Sequence, residues 1–487
     1  MEDKDNNFSD KYIKNIKERK IGYFSTTRTV VLGFLLIIII GTILLMLPVS
    51  SASGKVTSCI DALFTTVTSV CVTGLVTVTT ATHWSTFGHV IILILIQLGG
   101  LGVICCGIAF VMLLKKRIGL KERMMIQESY GLDTHFGSGD MEQGVRRGLK
   151  GYDGLIKRIV RGTFIIEGIG ALLYSIRFIP QFGVSKGIWY SVFHSISAFC
   201  NAGLDILGES SLMPYKTDVL VNLTTAFLVI TGGIGFVVWW DVLGVIRTAI
   251  KNKRYKNMLF RRLTLHSKVA ISTTIILLIS GTLLYFAAEY NNMATMGNES
   301  VGGKLIMSFF QSVTTRTAGF LTILQENLTD TAYIITLGLM FIGGSPMGTA
   351  GGVKTTTIAM VLLCIVSVVR GKKDIEVYNR KIASENVRTG LTVIGISAMA
   401  LIAGILILTI IEPFSLRTIV FESVSAVATV GLGAGMTPYL SIGGKLVIIV
   451  LMYIGRIGPI TMAMAFSAKR SATLDGIELA EKKIIIG

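Results

Sequence analysis

The chain alternates between long apolar stretches and short basic ones. Apolar runs rich in Leu, Ile and Val cover Thr29 to Leu47, Val90 to Leu114, Val219 to Val238, Val269 to Ala288, Ala332 to Ile342, Ile358 to Val369, Leu391 to Ile411 and Lys445 to Phe466. A helix needs about 20 apolar residues to cross the hydrocarbon core of a bilayer, so this pattern predicts several membrane spans. Between the runs lie four segments too short to cross: Ser58 to Val70, Gly187 to Phe199, Lys304 to Thr315 and Leu416 to Val427. Stretches of about 10–14 residues re-enter the membrane more often than they span it. Each is followed at once by a glycine-containing segment: Val72-Thr73-Gly74-Leu75, Asn201-Ala202-Gly203-Leu204, Thr317-Ala318-Gly319-Phe320 and Thr429-Val430-Gly431-Leu432.

The glycines of these segments are 129, 116 and 112 residues apart, the length of a helix, re-entrant hairpin, helix module. Outer spans begin near Arg28, Ile159, Ser267 and Leu391, and an inner span follows each glycine segment. Two crossings in each of four modules make eight. The expected fold is therefore an all-α integral membrane protein with four pseudo-symmetric modules around a central path. The modules occupy residues 28–116, 157–247, 267–370 and 389–468, flanked by charged tails at 1–27 and 469–487.

The 51% hydrophobic content and 15% charged content fit a membrane protein better than a soluble enzyme. The net charge of +17 suggests nucleic acid until its distribution is read. Thirty-six of the 46 Lys and Arg residues fall in segments 1–28, 115–161, 247–268, 370–388 and 469–487, all on one side of the predicted spans. The positive-inside rule then places both termini in the cytoplasm and excludes a nucleic-acid surface. The N-terminal residues show no cleavage-type signal. Cys59, Cys71, Cys105, Cys106, Cys200 and Cys364 lack the paired spacing of a zinc site and read as reduced thiols. No nucleophile elbow, paired-acid site or metal motif points to an enzyme.

Glycine loops at bilayer depth expose backbone carbonyls that lipid cannot satisfy, and four of them permit a carbonyl ring able to replace a cation's water. The residues expected to line it are Val72, Thr73, Gly74, Asn201, Ala202, Gly203, Thr317, Ala318, Gly319, Thr429, Val430 and Gly431. A second glycine repeat lies in the inner spans, at Gly99-Gly100, Gly232-Gly233, Gly343-Gly344 and Gly455-Arg456. In the first two copies close helix packing explains it. In the third, Gly343, Gly344, Ser345, Pro346, Gly348, Gly351 and Gly352 crowd so many helix breakers together that the span should split, leaving a loop able to obstruct the path. Gly348 to Thr355 superficially resembles a phosphate-binding loop, but Val353 separates the glycine from Lys354, so no nucleotide is expected on this chain.

Three cations sit where charge is costly. Arg316 is expected to brace the ring, with Glu422 as a partner. Arg456 is expected at the depth of the broken span, either as an electrostatic barrier or holding the loop's carbonyls, with snorkelling as the bland alternative. Lys354 closes the loop. Asp205 should lie at the outer mouth, concentrating cations or capping a turn. Glu167, Asp241 and Glu412 are the main acids within spans, too few for a carboxylate relay.

Taken in order, these segments resemble the Trk/Ktr/HKT superfamily of potassium transporters, most like the membrane subunits of bacterial Ktr systems. The resemblance runs from about Arg28 to the C-terminus. It implies potassium coordination by carbonyls of the four glycine segments, and potassium over sodium because Gly74 is not the serine of sodium-selective plant relatives. It also implies a gating role for the Gly343 to Gly352 loop and Arg456, with sodium as an activator. Further implications are a homodimer in the bacterial plasma membrane and a cytosolic KtrA-like octameric ring that binds ATP or ADP. Trk-type subunits usually carry two extra helices ahead of the first module, which favours the Ktr type here. A Trk-type subunit and an ion-coupled secondary transporter are the alternatives.

Overall fold

The computed structural model describes residues 26–102, 141–251, 259–372 and 374–458. Residues 1–25, 103–140, 252–258, 373 and 459–487, with them Cys105 and Cys106 and the inner-span continuations expected past Gly102 and Gly458, lie outside the described residues. Among the described residues, the helices longer than four residues are α1 (Thr26–Met46), α2 (Cys59–Val70), α3 (Thr86–Leu101), α4 (Met141–Phe182), α5 (Val184–Phe199), α6 (Val219–Gly233), α7 (Phe236–Lys251), α8 (Leu265–Glu289), α9 (Val301–Thr314), α10 (Asp330–Phe341), α11 (Thr355–Val369), α12 (Ser384–Ile411), α13 (Leu416–Val427) and α14 (Ile442–Ile457). One departure from an all-helical chain is an antiparallel pair, Glu376–Val377 with Arg380–Lys381, turned by Tyr378 and Asn379 at positive φ.

Burial is inverted relative to a water-soluble domain. Leu172, Ile276, Met399 and Ile410 are 70%, 63%, 71% and 83% exposed on the long helices α4, α8 and α12. Meanwhile Thr68, Ser69, Ser195, Gln311 and Ser425 are fully buried. Apolar surface outside and hydroxyls inside is the arrangement lipid favours. Among the described residues, three stretches are long and apolar enough to cross a bilayer alone: Arg158–Phe182, Leu265–Glu289 and Ser384–Ile411.

Three of the short helices pack on both the helix before and the helix after, α2 on α1 and α3, α5 on α4 and α6, and α13 on α12 and α14, while α9 packs on α8 before it. The following helix also leans on the next short helix, giving α3 on α5, α6 on α9, α10 on α13, and α14 back on α2. The packing therefore closes on itself. Two of the quarters carry the same buried hydroxyl bond 51 residues apart, Tyr174 to Thr225 at 2.6 Å and Tyr285 to Thr336 at 2.8 Å. The helices that follow the glycine segments share a start signal. Ser85, Asp218, Thr329 and Ser441 each accept an N–H from the third residue onward, satisfying a donor that the helix leaves unpaired.

One expectation about the inner spans changes. Close packing of the first glycine in the pair is observed: a Cβ on Gly99, Gly232 or Gly455 would meet the carbonyl of Val70, Phe199 or Val427 at 2.0, 1.9 or 2.0 Å. Packing is not the whole account of the second copy, however. The chain expected to run straight through Val219 to Val238 breaks between α6 and α7 and bends by 97°. Gly235, at φ 97°, makes the corner, a conformation that L side chains rarely adopt. The third span splits as expected, between α10 and α11.

Candidate ion pathway

Every short helix ends with its C-terminus against a glycine segment, and the backbone then enters the left-handed region. Val72, Asn201, Thr317 and Thr429 have φ of 54°, 61°, 65° and 52°. For β-branched residues this is a real steric cost, about 1–3 kcal/mol, and such strain collects where a fold must present its backbone. Gly74, Gly203, Gly319 and Gly431 follow, also at positive φ.

The N–H groups here turn back to the helix that precedes them. Thr73 N donates to Thr68 O, Ala202 N to Ser197 O and Val430 N to Ser425 O, each at 2.8 Å, and Ala318 N donates to Thr314 O at 3.0 Å. Hydroxyls reinforce the same turn. Gly74 N donates to Thr68 Oγ1 at 2.9 Å and Gly431 N to Ser425 Oγ at 3.0 Å. Ser197 Oγ and Thr314 Oγ1 instead donate to the carbonyls of Leu204 and Phe320. These four hydroxyls were not singled out from the sequence; their signal is a Ser or Thr in the last turns of each short helix.

The four segments face one another in a closed cycle. A Cβ on Gly74 would lie 2.7 Å from Ala202 O, one on Gly203 2.6 Å from Ala318 O, one on Gly319 2.7 Å from Val430 O, and one on Gly431 2.1 Å from Thr73 O. No side chain fits at any of the four. The hydroxyls of Thr73, Thr317 and Thr429 are buried and make no hydrogen bond within the protein, so acceptors remain free around the ring. The short helices also direct the negative ends of their dipoles here, which favours a cation.

Beside the ring lies the loop joining α10 to α11. Gly343 N donates to Val353 O, and Thr355 N donates to Gly344 O, so its two ends are tied together. The broken α6–α7 corner holds it: Ser345 N and Thr349 N donate to the carbonyls of Gly233 and Gly232, and Phe236 N donates to Met347 O. Thr349 Oγ1 donates to Phe199 O at 3.0 Å and lies 3.1 Å from Asn201 Oδ1. Across the ring, a Cβ on Gly351 would overlap Thr429 Oγ1 at 1.9 Å. Lys354 turns back to Ala350 O at 2.7 Å. Arg456 donates to Thr349 O and to the carbonyls of Gly99 and Gly100. The loop thereby touches the second and fourth quarters directly and the first through Arg456. Gly348 fits only as glycine, its side-chain position 2.9 Å from the Gly232 and Gly233 carbonyls, and Pro346 presents its carbonyl to Gly235.

One expected pair does not form. Glu422 accepts the N–H groups of Ala434, Met436 and Thr437 and the Thr437 hydroxyl, which uses both carboxylate oxygens on the loop after its own glycine segment. Arg316 instead directs its guanidinium to the carbonyls of Thr274 and Gly343, each at 3.5 Å. A carboxylate with four local donors has no geometric need of a distant cation. Asp205 caps a turn by accepting Leu207 N at 3.3 Å. Glu412 and Asp241 likewise cap, accepting from Ser441 and from Thr264. Glu167, on α4, is buried beside Gln97.

The chain matches the TrkH family, described as a cation transport protein, over residues 17–474. It is 41% identical to the Ktr system potassium uptake protein B of Bacillus subtilis over 465 residues, which covers 96% of this chain and 97% of that protein. The potassium/sodium uptake protein NtpJ of Enterococcus hirae is 37% identical over 476 residues, covering 97% of this chain and 99% of the relative. The backbone is similar to the crystal structure of the potassium transporter TrkH from Vibrio parahaemolyticus, with a TM-score of 0.64 over 92% of this chain and 86% of that one. At 16% identity that last likeness is one of fold.

Proposed function

This chain belongs to the TrkH family of cation transport proteins, and on that footing we propose that it takes up potassium through the ring closed by Gly74, Gly203, Gly319 and Gly431. The observation that carries the reading is the cycle of glycine-to-carbonyl contacts, which leaves backbone oxygens and unbonded threonine hydroxyls as the ring's available ligands. An ion entering exchanges water for these oxygens, and the strained backbone spares it the cost of organising them. In this reading the fold makes eight crossings, both termini face the cytoplasm, and Asp205 stands at the outer mouth.

The Gly343 to Gly352 loop is the obstruction on the cytoplasmic side of the ring, and Arg456 is its latch. Opening requires the loop to leave the Gly232 and Gly233 carbonyls and the guanidinium to leave Thr349. The Ktr system to which one relative belongs supports a regulatory partner, here a KtrA-like cytosolic ring that carries the nucleotide, acting on a homodimer of this chain. The potassium/sodium uptake designation of the other relative supports sodium as a second ion at this chain, which we read as an activator.

The test is rubidium and sodium uptake into proteoliposomes that hold the purified chain. Rubidium uptake blocked by excess potassium and not by sodium is expected. Equal blockade by both ions would overturn the selectivity; no uptake with or without the cytosolic partner would overturn the pore.

A further inference from the structure

Arg316 stands one residue ahead of Thr317, buried to 7% exposure. Its guanidinium makes two long bonds to carbonyls, its Nε makes none, and among the described residues no carboxylate lies within ion-pair distance. The Thr274 hydroxyl, on α8, is also buried without a partner. Both side chains line one cavity of about 10 Å³, the room that a single water-sized guest needs. Its other walls are apolar side chains, Val229 and Ile230 from α6, Leu278 from α8 and Val313 from α9. Gly233 and Gly344 close it where the α6–α7 corner meets the start of the loop.

A guanidinium nitrogen can only donate, so a guest bonded to Arg316 Nε must be an acceptor, and the threonine hydroxyl can donate to the same guest. An uncompensated charge buried among apolar groups costs several kcal/mol in general, and a negative guest removes that cost where a neutral one does not. We propose that this cavity is a binding site for one small monovalent anion of halide size, held by Arg316 and Thr274. The anion cancels a fixed positive charge immediately behind the third glycine segment. It also couples to the loop, because the same guanidinium holds the Gly343 carbonyl and Gly344 forms part of the wall. The site goes beyond the transport reading and is tested without measuring transport.

Crystals of the full chain soaked in sodium bromide provide the first test. An anomalous peak at hydrogen-bond distance from Arg316 Nε is expected, lost in Arg316→Gln and weakened in the nearly isosteric Thr274→Val. A water refined at that position, with no bromide peak, would overturn the site. Thermal unfolding of the detergent-solubilised wild type provides the second, comparing bromide with gluconate at fixed potassium and ionic strength. Bromide is expected to raise the midpoint by about 2–4 °C, a rise that is smaller in Thr274→Val. Equal midpoints in both salts, or the same rise in Thr274→Val, would overturn it.

Discussion

Arg456 bonds the backbone carbonyl of Thr349, joining the last described helix to a loop 107 residues earlier in the chain. The same guanidinium holds the carbonyls of Gly99 and Gly100 on α3. One side chain thus spans three quarters of the ring. A charged donor to a buried carbonyl is worth about 1.5–3 kcal/mol, and each 1.4 kcal/mol is about ten-fold in an equilibrium. Arg456→Ala is expected to raise rubidium uptake by about ten-fold or more while leaving rubidium-over-sodium preference unchanged. Unchanged or lower uptake at normal expression would remove the latch role.

Thr349 offers a milder lesion at the same contact. Its hydroxyl donates to Phe199 O and lies against Asn201. Thr349→Val keeps the shape and removes one bond of about 1 kcal/mol, so uptake should rise by about five-fold. The double variant with Arg456→Ala should fall short of the product of the two, because both release one loop. Full multiplicativity would mean that the two residues act on separate elements.

The ring glycines are not equivalent. A Cβ on Gly431 would come within 2.1 Å of Thr73 O, against 2.7 Å for Gly74 on Ala202 O. Gly431→Ala is therefore expected to damage rubidium-over-sodium preference more than Gly74→Ala, with Gly319→Ser also reducing it. Competition uptake in proteoliposomes reads the order. Preference unaltered in all three would withdraw the ring as the ion's binding place.

Glu422 anchors the segment after the fourth glycine motif through three N–H groups and one hydroxyl. A glutamine there keeps the shape but loses the charge and one acceptor. Glu422→Gln should cost about 2–3 kcal/mol, read as an earlier unfolding midpoint in detergent. A midpoint within error of the wild type would show that the carboxylate carries no stabilising role.

Gly235→Ala examines the corner. Its φ of 97° and a side-chain position 2.4 Å from Pro346 O leave no room for a methyl group. The α6–α7 bend should open and the loop lose its seat, so uptake is expected to rise without loss of selectivity. A fall in uptake with intact selectivity would instead make the corner part of the open path.

Much of this was legible because it is periodic. The four short helices, the four glycine segments and the split third span all follow from local composition, and the structure has helices and a break at those places. What sequence could not supply was pairing across the fold. Glu422 and Arg316 are both buried charges near the ring, and complementarity alone suggested that they meet. The backbone N–H groups of Ala434, Met436 and Thr437 share one carboxylate oxygen and the Thr437 hydroxyl takes the other, so these local donors outcompete the arginine. The corner at Gly235 was hidden for a related reason. Gly232, Gly233 and Gly235 serve packing, loop contact and a near right-angle bend within four positions, and composition cannot separate those uses.

The ring closes within a single chain, with α14 returning to α2. In an assembly of four identical chains, any residue placed under the axis would appear four times, and an obstructing loop would have to fit beside three copies of itself. Here one quarter can specialise. The third contributes the loop, the second its seat, the fourth the arginine and the first only carbonyls. A substitution in the loop, its seat or the arginine therefore changes one quarter while the glycine-to-carbonyl contacts of the others are left in place.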